Sequence, residues 1–203
     1  MNKNSDRTAG VDEVGRGALF GPVVAAAVML PNDAIAPLTT AGVTDSKKLS
    51  AKKRQQLAQQ IRQTAHCAVG MASVYEIDRI NILQASLLAM RRAVSKLSPQ
   101  PDFCLVDGNQ PIPKLPMEQQ TVIKGDLNEL AIAAASIVAK VWRDELIIRL
   151  SGQYPGYDLA SNKGYGSAKH LAGIETLGIT RQHRKSFKRC QLQLPISTSL
   201  LRE

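Results

Sequence analysis

Short apolar runs alternate with amphipathic stretches along most of the chain. Five of these runs are of strand length and predict β-strands over residues 9–14, 23–30, 66–74, 103–106 and 121–123. Glycines and a proline interrupt the chain between the first two runs, so we expect those two strands to form a hairpin. Residues 31–41, which follow the second run, are expected to form a loop.

Helical patterns separate several of these strands. Ser50 can cap a helix that runs to about residue 63. Apolar positions on one face predict a helix over 82–97, an alanine-rich segment predicts a long helix over 128–150, and a short helix is expected over 168–177. This order of strands and helices predicts an α/β fold with at least some parallel strands.

The composition is that of a globular protein with a basic charge balance. Of 203 residues, 44% are hydrophobic and 21% are charged, which predicts a single domain over 1–203. The 26 Lys and Arg residues exceed the 17 Asp and Glu residues by nine. Residues 179–203 hold six of the basic residues and one acid, and form a basic C-terminal segment that is a candidate for an appended tail. Such a charge suggests a polyanionic partner.

Cysteine usage and the N-terminus bear on the compartment. The three cysteines are widely spaced and form no C-x-x-C pair, which argues against a zinc knuckle or a disulfide framework. The first residues lack the apolar core of a signal peptide, and the longest apolar run is too short to cross a bilayer. We therefore expect a cytoplasmic protein without membrane contact, and by default a monomer.

Acidic residues fall at or near the ends of three apolar runs. Asp12 and Glu13 are adjacent in the first run, Asp107 follows the fourth, and Asp126 lies just beyond the fifth and before a helix. Sites in open α/β sheets gather at the carboxyl ends of strands, so these acids are candidates for one cluster. Clustered carboxylates raise one another's pKa, and a divalent cation relieves the repulsion. Oxygen ligands alone suit Mg²⁺ or Mn²⁺.

Other interpretations of these acids stay open. Taken alone, Asp107 before a glycine and Asp126 before a helix are more typical of a turn residue and a helix cap. Neighbours on a regular strand point to opposite faces. Asp12 and Glu13 can therefore share one ion only if the strand bends, or if Glu13 offers its backbone carbonyl.

Several residues are candidates for contact with nucleic acid. The segment Gly15-Arg16-Gly17 lets the backbone approach a ligand and lets Arg16 reach a phosphate, although a tight turn explains the same residues. Ser46 and Lys47 lie in a polar segment suited to holding a phosphate or to simple solvation. Tyr165 stands between glycines beside basic residues, which suits stacking on a base or sugar as well as packing onto the core.

Seven segments together resemble the type 2 ribonucleases H, and bacterial ribonuclease HII among them. The resemblance runs from about residue 9 to residue 187. Its segments are GVDEVGRG at 10–17, DSKKL at 45–49, VDG at 106–108, KGD at 124–126, AAASIVAK at 133–140, KGYG at 163–166 and HRKSF at 183–187. Each is weak alone, but their common order is specific.

The resemblance implies a ribonuclease H-like fold, a mixed sheet flanked by helices with a helical C-terminal part. It implies that Asp12, Glu13, Asp107 and Asp126 are the four active-site acids. By two-metal chemistry, two Mn²⁺ or Mg²⁺ ions would activate a water and stabilise the leaving oxygen. Asp12 and Asp107 would be the central ligands, and hydrolysis would leave 5′-phosphate and 3′-hydroxyl ends.

The resemblance also implies a substrate. It predicts an endoribonuclease that cuts the RNA strand of RNA–DNA hybrids and single ribonucleotides embedded in duplex DNA, on the 5′ side of the ribonucleotide. Gly15-Arg16-Gly17 and Tyr165 would sense the 2′-hydroxyl, the group that distinguishes RNA there. The basic run 181–189, which includes Arg184, is expected to grip duplex phosphates.

The C-terminal segment carries one more motif. The sequence QLQLP at 191–195 resembles short peptides by which bacterial proteins dock on the replication sliding clamp, although its leucines could equally pack on the body of the protein. Two rival functions remain: a related metal nuclease indifferent to the 2′-hydroxyl, and a non-catalytic nucleic-acid-binding module. The acids argue against the second, since they would repel phosphates without a metal ion.

Overall fold

A computed structural model describes residues 7–191 of the chain. Its centre is one sheet of five strands: β1 (Thr8–Val14), β2 (Val23–Met29), β3 (His66–Ala72), β4 (Phe103–Asp107) and β5 (Glu118–Val122). Their order across the sheet is β3-β2-β1-β4-β5. The expected hairpin is present, because β1 and β2 pair antiparallel, as do β2 and β3. β4 runs parallel to β1, and β5 runs parallel to β4, which confirms the predicted mixed α/β sheet.

Helices flank the sheet. Within residues 7–191 they are α1 (Asn32–Ala41), α2 (Ala51–Thr64), α3 (Val74–Ser95), α4 (Gly125–Asn128), α5 (Leu130–Ser151), α6 (Leu159–Asn162), α7 (Ala168–Leu177) and α8 (Lys188–Gln191). Ser50 caps α2 as predicted, because its hydroxyl accepts a hydrogen bond of 3.2 Å from the Lys53 amide. No helix in this part of the chain is both long and apolar enough to span a membrane.

The expectation of a loop over 31–41 is wrong, because α1 occupies this segment. Pro37 lies inside the helix and removes one backbone donor, which weakens the helical pattern in the sequence. Ala34 and Leu38 are buried against the layer formed by α2 and α5. Tertiary packing of this face therefore stabilises a helix that propensity alone does not favour.

The helix predicted over 82–97 is part of a longer element, α3. Its first half begins with a capping box, in which Ser73 and Glu76 each accept a hydrogen bond from the other's backbone amide. The backbone then leaves helical geometry at Asn81, with φ 65° and ψ 166°. The Asn81 side chain accepts a hydrogen bond of 3.1 Å from the Gln84 amide. The predicted start at residue 82 thus coincides with the second half of a broken helix.

Two apolar layers enclose the sheet. One layer joins α3 to alternate residues of the strands, such as Val11 and Val106. The other joins the opposite face of the sheet to α2 and α5, with Ala26 and Val28 among its members. Because β2 lies between both layers, all seven of its residues are buried.

A third apolar cluster lies outside the sheet and holds the C-terminal part of the described chain. It consists of Leu19, Phe20, Ile147, Tyr157, Leu159, Ile174 and Cys190. The amides of Leu19 and Phe20 donate to the Gly164 carbonyl at 2.8 and 3.2 Å. This cluster therefore joins the segment after β1 to the segment between α6 and α7.

Candidate functional site

Parallel pairing of β1 with β4 places Asp12 and Asp107 side by side. The register pairs Val11 with Val106, and the two aspartates are the next residues on their strands. Val11 and Val106 face α3, so strand alternation turns both aspartates toward the opposite face, where α5 lies. Adjacent strands lie about 4.8 Å apart, so the two carboxylates are neighbours at the carboxyl end of the parallel pair.

The side chain of Glu13 points to the face of β1 opposite to that of Asp12. Pairing between β1 and β2 continues through Glu13 and Val14 without a bulge, so the strand does not bend at this point. Glu13 still borders the same cavity as Asp12, because the cavity opens around the strand end. Its carboxylate forms an ion pair of 3.3 Å with Nη1 of Arg16.

α4 brings Asp126 to the same edge of the sheet. The Gly125 amide donates a hydrogen bond of 2.8 Å to Oδ1 of Asp107, which fixes α4 against the end of β4. Asp126 is largely buried, and its Oδ2 lies 3.4 Å from Nζ of Lys47. Lys47 thus connects the segment before α2 to this acid.

Asp12, Glu13 and Asp107 border one cavity of about 430 Å³, which we call the carboxylate cavity. Asp126 is outside its lining and is connected to it through Lys47. Its lining consists of Asp12, Glu13, Val14, Gly15, Arg16, Gly17, Ser46, Lys47, Asp107, Ser136, Lys140 and Tyr165. Five separate segments of the chain meet here. The two Ser hydroxyls, of Ser46 and Ser136, lie 2.9 Å apart in the buried wall.

The carboxylates of the cavity resist ionisation. Burial, followed by the charges of Glu13 and Asp107, raises the pKa of Asp12 well above its ordinary value. Burial also raises the pKa of Glu13, although Arg16 opposes this, and burial raises the pKa of Asp107. Like charges in a shielded space raise one another's pKa, and a bound cation reverses this effect.

The carboxylate and hydroxyl oxygens of the lining suit a hard divalent cation, although three cationic side chains line the same cavity. Within residues 7–191, however, no three His, Cys, Asp or Glu side chains form a ready-made metal-binding group. Asp126 is instead paired with Lys47, Glu13 with Arg16, and Asp107 with the Gly125 amide. Joint binding of an ion by these acids therefore requires side chains to exchange these internal partners for the metal.

The Gly15-Arg16-Gly17 segment forms a tight turn at the rim of the cavity. Gly15 has φ +90°, and a Cβ there would lie 2.2 Å from Nε of Arg143, so only glycine fits. Gly17 is exposed, and a Cβ there would meet nothing within 4 Å. The structure thus places Arg16 and Gly17 at the open side of the cavity, where a ligand backbone has room.

Tyr165 faces this turn across the cavity. Two cations lie near its ring: Nζ of Lys140 at 5.6 Å and Cζ of Arg143 at 5.5 Å from the centroid. Lys140 is also held by Asp144 at 2.9 Å. Lys140 and Ser136 lie in the segment 133–140 that carried the resemblance, but nothing in the residue pattern identified them individually as site residues.

Arg184 is not brought to the cavity. Its side chain is fully buried, and it donates to the backbone carbonyls of Gly21 at 3.0 Å and Arg16 at 2.9 Å. The expectation that Arg184 contacts duplex phosphates is therefore wrong, because this side chain binds backbone carbonyls inside the protein. Of the clamp motif at 191–195, only Gln191 lies within the described residues.

Comparisons with known proteins give one consistent result. The family model described as ribonuclease HII matches residues 9–190. A ribonuclease HII from Acaryochloris marina is 66% identical over 96% of this chain and 98% of its own length. One from Trichormus variabilis is 63% identical over 94% of this chain and 85% of its own length. The solved structure of the PCNA:RNase HII complex from Archaeoglobus fulgidus superposes with a TM-score of 0.76, at 28% identity, over 90% of this chain and 95% of that chain.

Proposed function

The chain belongs to the ribonuclease HII family, and from this premise we propose which bond it cuts and how its side chains take part. It is a nuclease of the hydrolase class with ribonuclease H activity on RNA–DNA hybrids, in a family that depends on divalent metal. The finer proposal is cleavage of single ribonucleotides embedded in duplex DNA. The cut falls on the 5′ side of the ribonucleotide and leaves a 5′-phosphate and a 3′-hydroxyl.

The acids have separate roles in this proposal. Asp12 and Asp107, side by side on parallel strands, are the central ligands of the metal site. Asp126 would complete it after leaving Lys47. Because β1 does not bend at Glu13, Glu13 would take part through its backbone carbonyl or at an ion that Asp12 does not share. Two Mn²⁺ or Mg²⁺ ions held there would supply an activated water and stabilise the leaving oxygen.

Once Arg16 and Lys47 no longer pair with these acids, their side chains would face the substrate. Arg16 and Lys47 line the same cavity as the carboxylates, so both can hold phosphates on either side of the scissile bond. Ser46 supports this wall through its contact with Ser136. The ion pairs of Glu13 with Arg16 and of Asp126 with Lys47 would be replaced when a metal ion and a phosphate bind.

Recognition of the 2′-hydroxyl falls to the Gly15-Arg16-Gly17 turn and to Tyr165. The exposed backbone at Gly17 allows an amide to approach the sugar closely, and no side chain is needed to donate. The Tyr165 ring lies across the cavity, where it can pack against the same sugar. The observation that carries the proposal is that the Gly15-Arg16-Gly17 turn and Tyr165 line the same cavity as Asp12 and Asp107.

The test is cleavage of a labelled DNA duplex with one ribonucleotide, in Mg²⁺ and separately in Mn²⁺. We expect a single cut on the 5′ side of the ribonucleotide, cutting of the RNA strand of a hybrid duplex, and no cutting of the all-DNA duplex or in EDTA. Equal cutting of the all-DNA duplex would reveal a nuclease indifferent to the 2′-hydroxyl. Binding without cutting, unaffected by EDTA, would reveal a binding module.

The clamp motif supports a second, separate proposal. The Archaeoglobus fulgidus relative is described in complex with PCNA, a relationship that favours docking of this chain on a replication clamp through residues 191–195. Retention on immobilised clamp should be lost when Gln191→Ala and Leu194→Ala are combined. Equal retention of the variant and the parent protein would assign these residues to packing instead.

A further inference from the structure

Two arginines are fully buried behind the Gly15-Arg16-Gly17 turn. Arg143 comes from α5 and Arg184 from the segment before α8, and neither side chain is exposed to solvent. Within residues 7–191 neither forms an ion pair with a carboxylate. Two positive charges therefore lie behind the turn without a direct counter-charge.

Both guanidinium groups bind backbone carbonyls. Arg143 donates to the carbonyls of Phe20 at 3.0 Å, Pro22 at 3.1 Å and Lys163 at 2.9 Å. Arg184 donates to the carbonyl of Gly21 at 3.0 Å and to that of Arg16 at 2.9 Å. The two side chains thus hold the segment 16–22 against the segment that leads to Tyr165.

The burial of Arg184 carries a cost in stability. Removing a cation from water is unfavourable unless it is fully hydrogen-bonded and paired. Burial, together with the charge of Arg143, lowers the pKa of Arg184 to about 9. Its Nη2 is buried and lacks a hydrogen-bond partner among the described residues, which adds a further penalty. Two hydrogen bonds and the Phe187 ring, whose centroid lies 5.1 Å from Cζ, offset part of this cost, and an apolar residue here would leave both carbonyls without this donor. What Arg184 does at these two carbonyls is therefore the question that its burial raises.

The bond from Arg184 to the Arg16 carbonyl has a direct consequence for Gly17. That carbonyl and the Gly17 amide belong to one peptide unit, and this unit is trans, because the cis bond of the described chain is Ser98–Pro99. In a trans peptide the carbonyl and the N–H point in opposite directions. Holding the carbonyl from inside the protein therefore turns the Gly17 N–H outward, at an exposed residue that lines the carboxylate cavity.

The same bond strengthens the amide as a donor. A cation at the carbonyl oxygen polarises the peptide unit, and hydrogen bonds in a chain reinforce one another. The Gly17 amide donates no hydrogen bond within residues 7–191. It is consequently free to meet an acceptor brought by a ligand.

We propose that Arg184 is a positioning residue for recognition of the 2′-hydroxyl, acting through the Arg16–Gly17 peptide rather than by contact with the substrate. This inference rests on the proposed function, because it takes the Gly17 amide as a reader of the ribose. Arg184 orients that amide toward the 2′-oxygen and raises its strength as a donor. It contributes to the preference for a ribonucleotide and leaves the attraction to duplex phosphates unchanged.

The experiment measures binding in an Asp107→Asn background, which separates recognition from cleavage. Affinities are determined in Mg²⁺ for two duplexes of one sequence, one with a single ribonucleotide and one all-DNA. Arg184→Met should lower the ratio of the two affinities by about fivefold and leave the all-DNA affinity unchanged. Arg184→Lys keeps the positive charge and can donate to one of the two carbonyls, so it should show a ratio between those of Arg184→Met and the parent. Arg149→Met, a change at an exposed residue in the last turn of α5, serves as the control and should retain all of it.

Each result decides a different point. An unchanged ratio in Arg184→Met overturns the inference, and so does a parallel loss of both affinities, which marks a structural role. If Arg184→Met does not fold, a full ratio in a folded Arg184→Lys overturns it equally. If the Asp107→Asn parent has no preference for the ribonucleotide, the proposed 2′-hydroxyl recognition fails, irrespective of Arg184.

Discussion

The Nε2 atoms of His170 and His183 lie 3.1 Å apart, and both imidazoles are fully buried. The Thr180 amide donates to Nδ1 of His183 at 2.9 Å, so the proton of a neutral His183 is on Nε2. Nδ1 of His170 lies 2.9 Å from the Tyr165 carbonyl and must donate to it, which leaves Nε2 of His170 as the acceptor. Two neutral rings thus form one directed chain that ends at the backbone of Tyr165.

This pair predicts a loss of stability in mild acid. Burial lowers the pKa of His170, and burial together with the neighbouring ring lowers the pKa of His183 from 6.5 to about 4. The unfolded chain therefore binds more protons than the folded one between these values, and the free energy of unfolding falls as pH drops from 6.5 toward 4. Thermal unfolding of the parent and of His183→Gln from pH 7 to pH 4 measures this. The variant should lose less stability over the range, and equal slopes would contradict the assignment.

Asp107→Asn should abolish turnover and preserve the fold. The asparagine Oδ1 can still accept the hydrogen bond from the Gly125 amide, so the junction of β4 and α4 stays intact. If Asp107 is a metal ligand as proposed, the loss of its charge should weaken metal binding. Mutation of a group that only supports a metal ligand lowers metal affinity or activity by about 10–100-fold. Because Asp107 is proposed as a ligand itself, we expect its replacement to lower the rate by at least about a hundredfold. Single-turnover cleavage and circular dichroism measure the two effects, and near-normal cleavage would remove Asp107 from the site.

Divalent ions should stabilise the protein. The carboxylates of Asp12 and Asp107 are neighbours with raised pKa values, so bound Mn²⁺ relieves their repulsion in the folded state. At a hundred times its dissociation constant, an ion that binds the folded state alone adds about 2.7 kcal/mol. Differential scanning calorimetry should show a higher Tm with Mn²⁺, reversed by EDTA and reduced in Asp12→Asn. An equal rise in Asp12→Asn would place the ion elsewhere.

The sequence predicts the features whose signals are local. Apolar runs locate four strands of the sheet, and Ser50 marks the start of α2. The fifth run, at 121–123, overlaps only the end of β5 (Glu118–Val122), because most residues of β5 are polar. The helix at 32–41 was missed because Pro37 breaks the expected pattern, and its stabilising contacts come from residues distant in the chain. Local signals specify strands and caps, whereas this helix depends on the layer beside it.

Long-range pairings explain what could not be predicted at the site. Arg184 belongs to a basic run, which suggests an exposed, phosphate-facing residue, but its partner carbonyls are 163 and 168 residues away. Lys47 and Asp126 are 79 residues apart, and nothing in either local sequence indicates their pairing. The acids can be proposed from the sequence because they lie within or just after apolar runs, and such runs are visible in the sequence.

The close approach of β1 to α5 gives a final prediction, at Gly10. A Cβ at this position would lie 2.2 Å from the carbonyl carbon of Ala131 and 2.3 Å from the Ile132 amide nitrogen. Both atoms are helix backbone and cannot rotate away, so Gly10→Ala must move α5 from the sheet. We expect a loss of about 1–3 kcal/mol in the free energy of unfolding, measured in urea.

Activity should fall with stability, since Asp12 lies two residues along the strand from Gly10 and lines the same cavity as Ser136 of α5. Gly152→Ala is the matched control, because Gly152 has helical φ −66° and a Cβ there would meet nothing within 4 Å. It should unfold within about 0.5 kcal/mol of the parent. If Gly10→Ala were as stable and active as Gly152→Ala, contact between α5 and β1 would not set the position of the carboxylates.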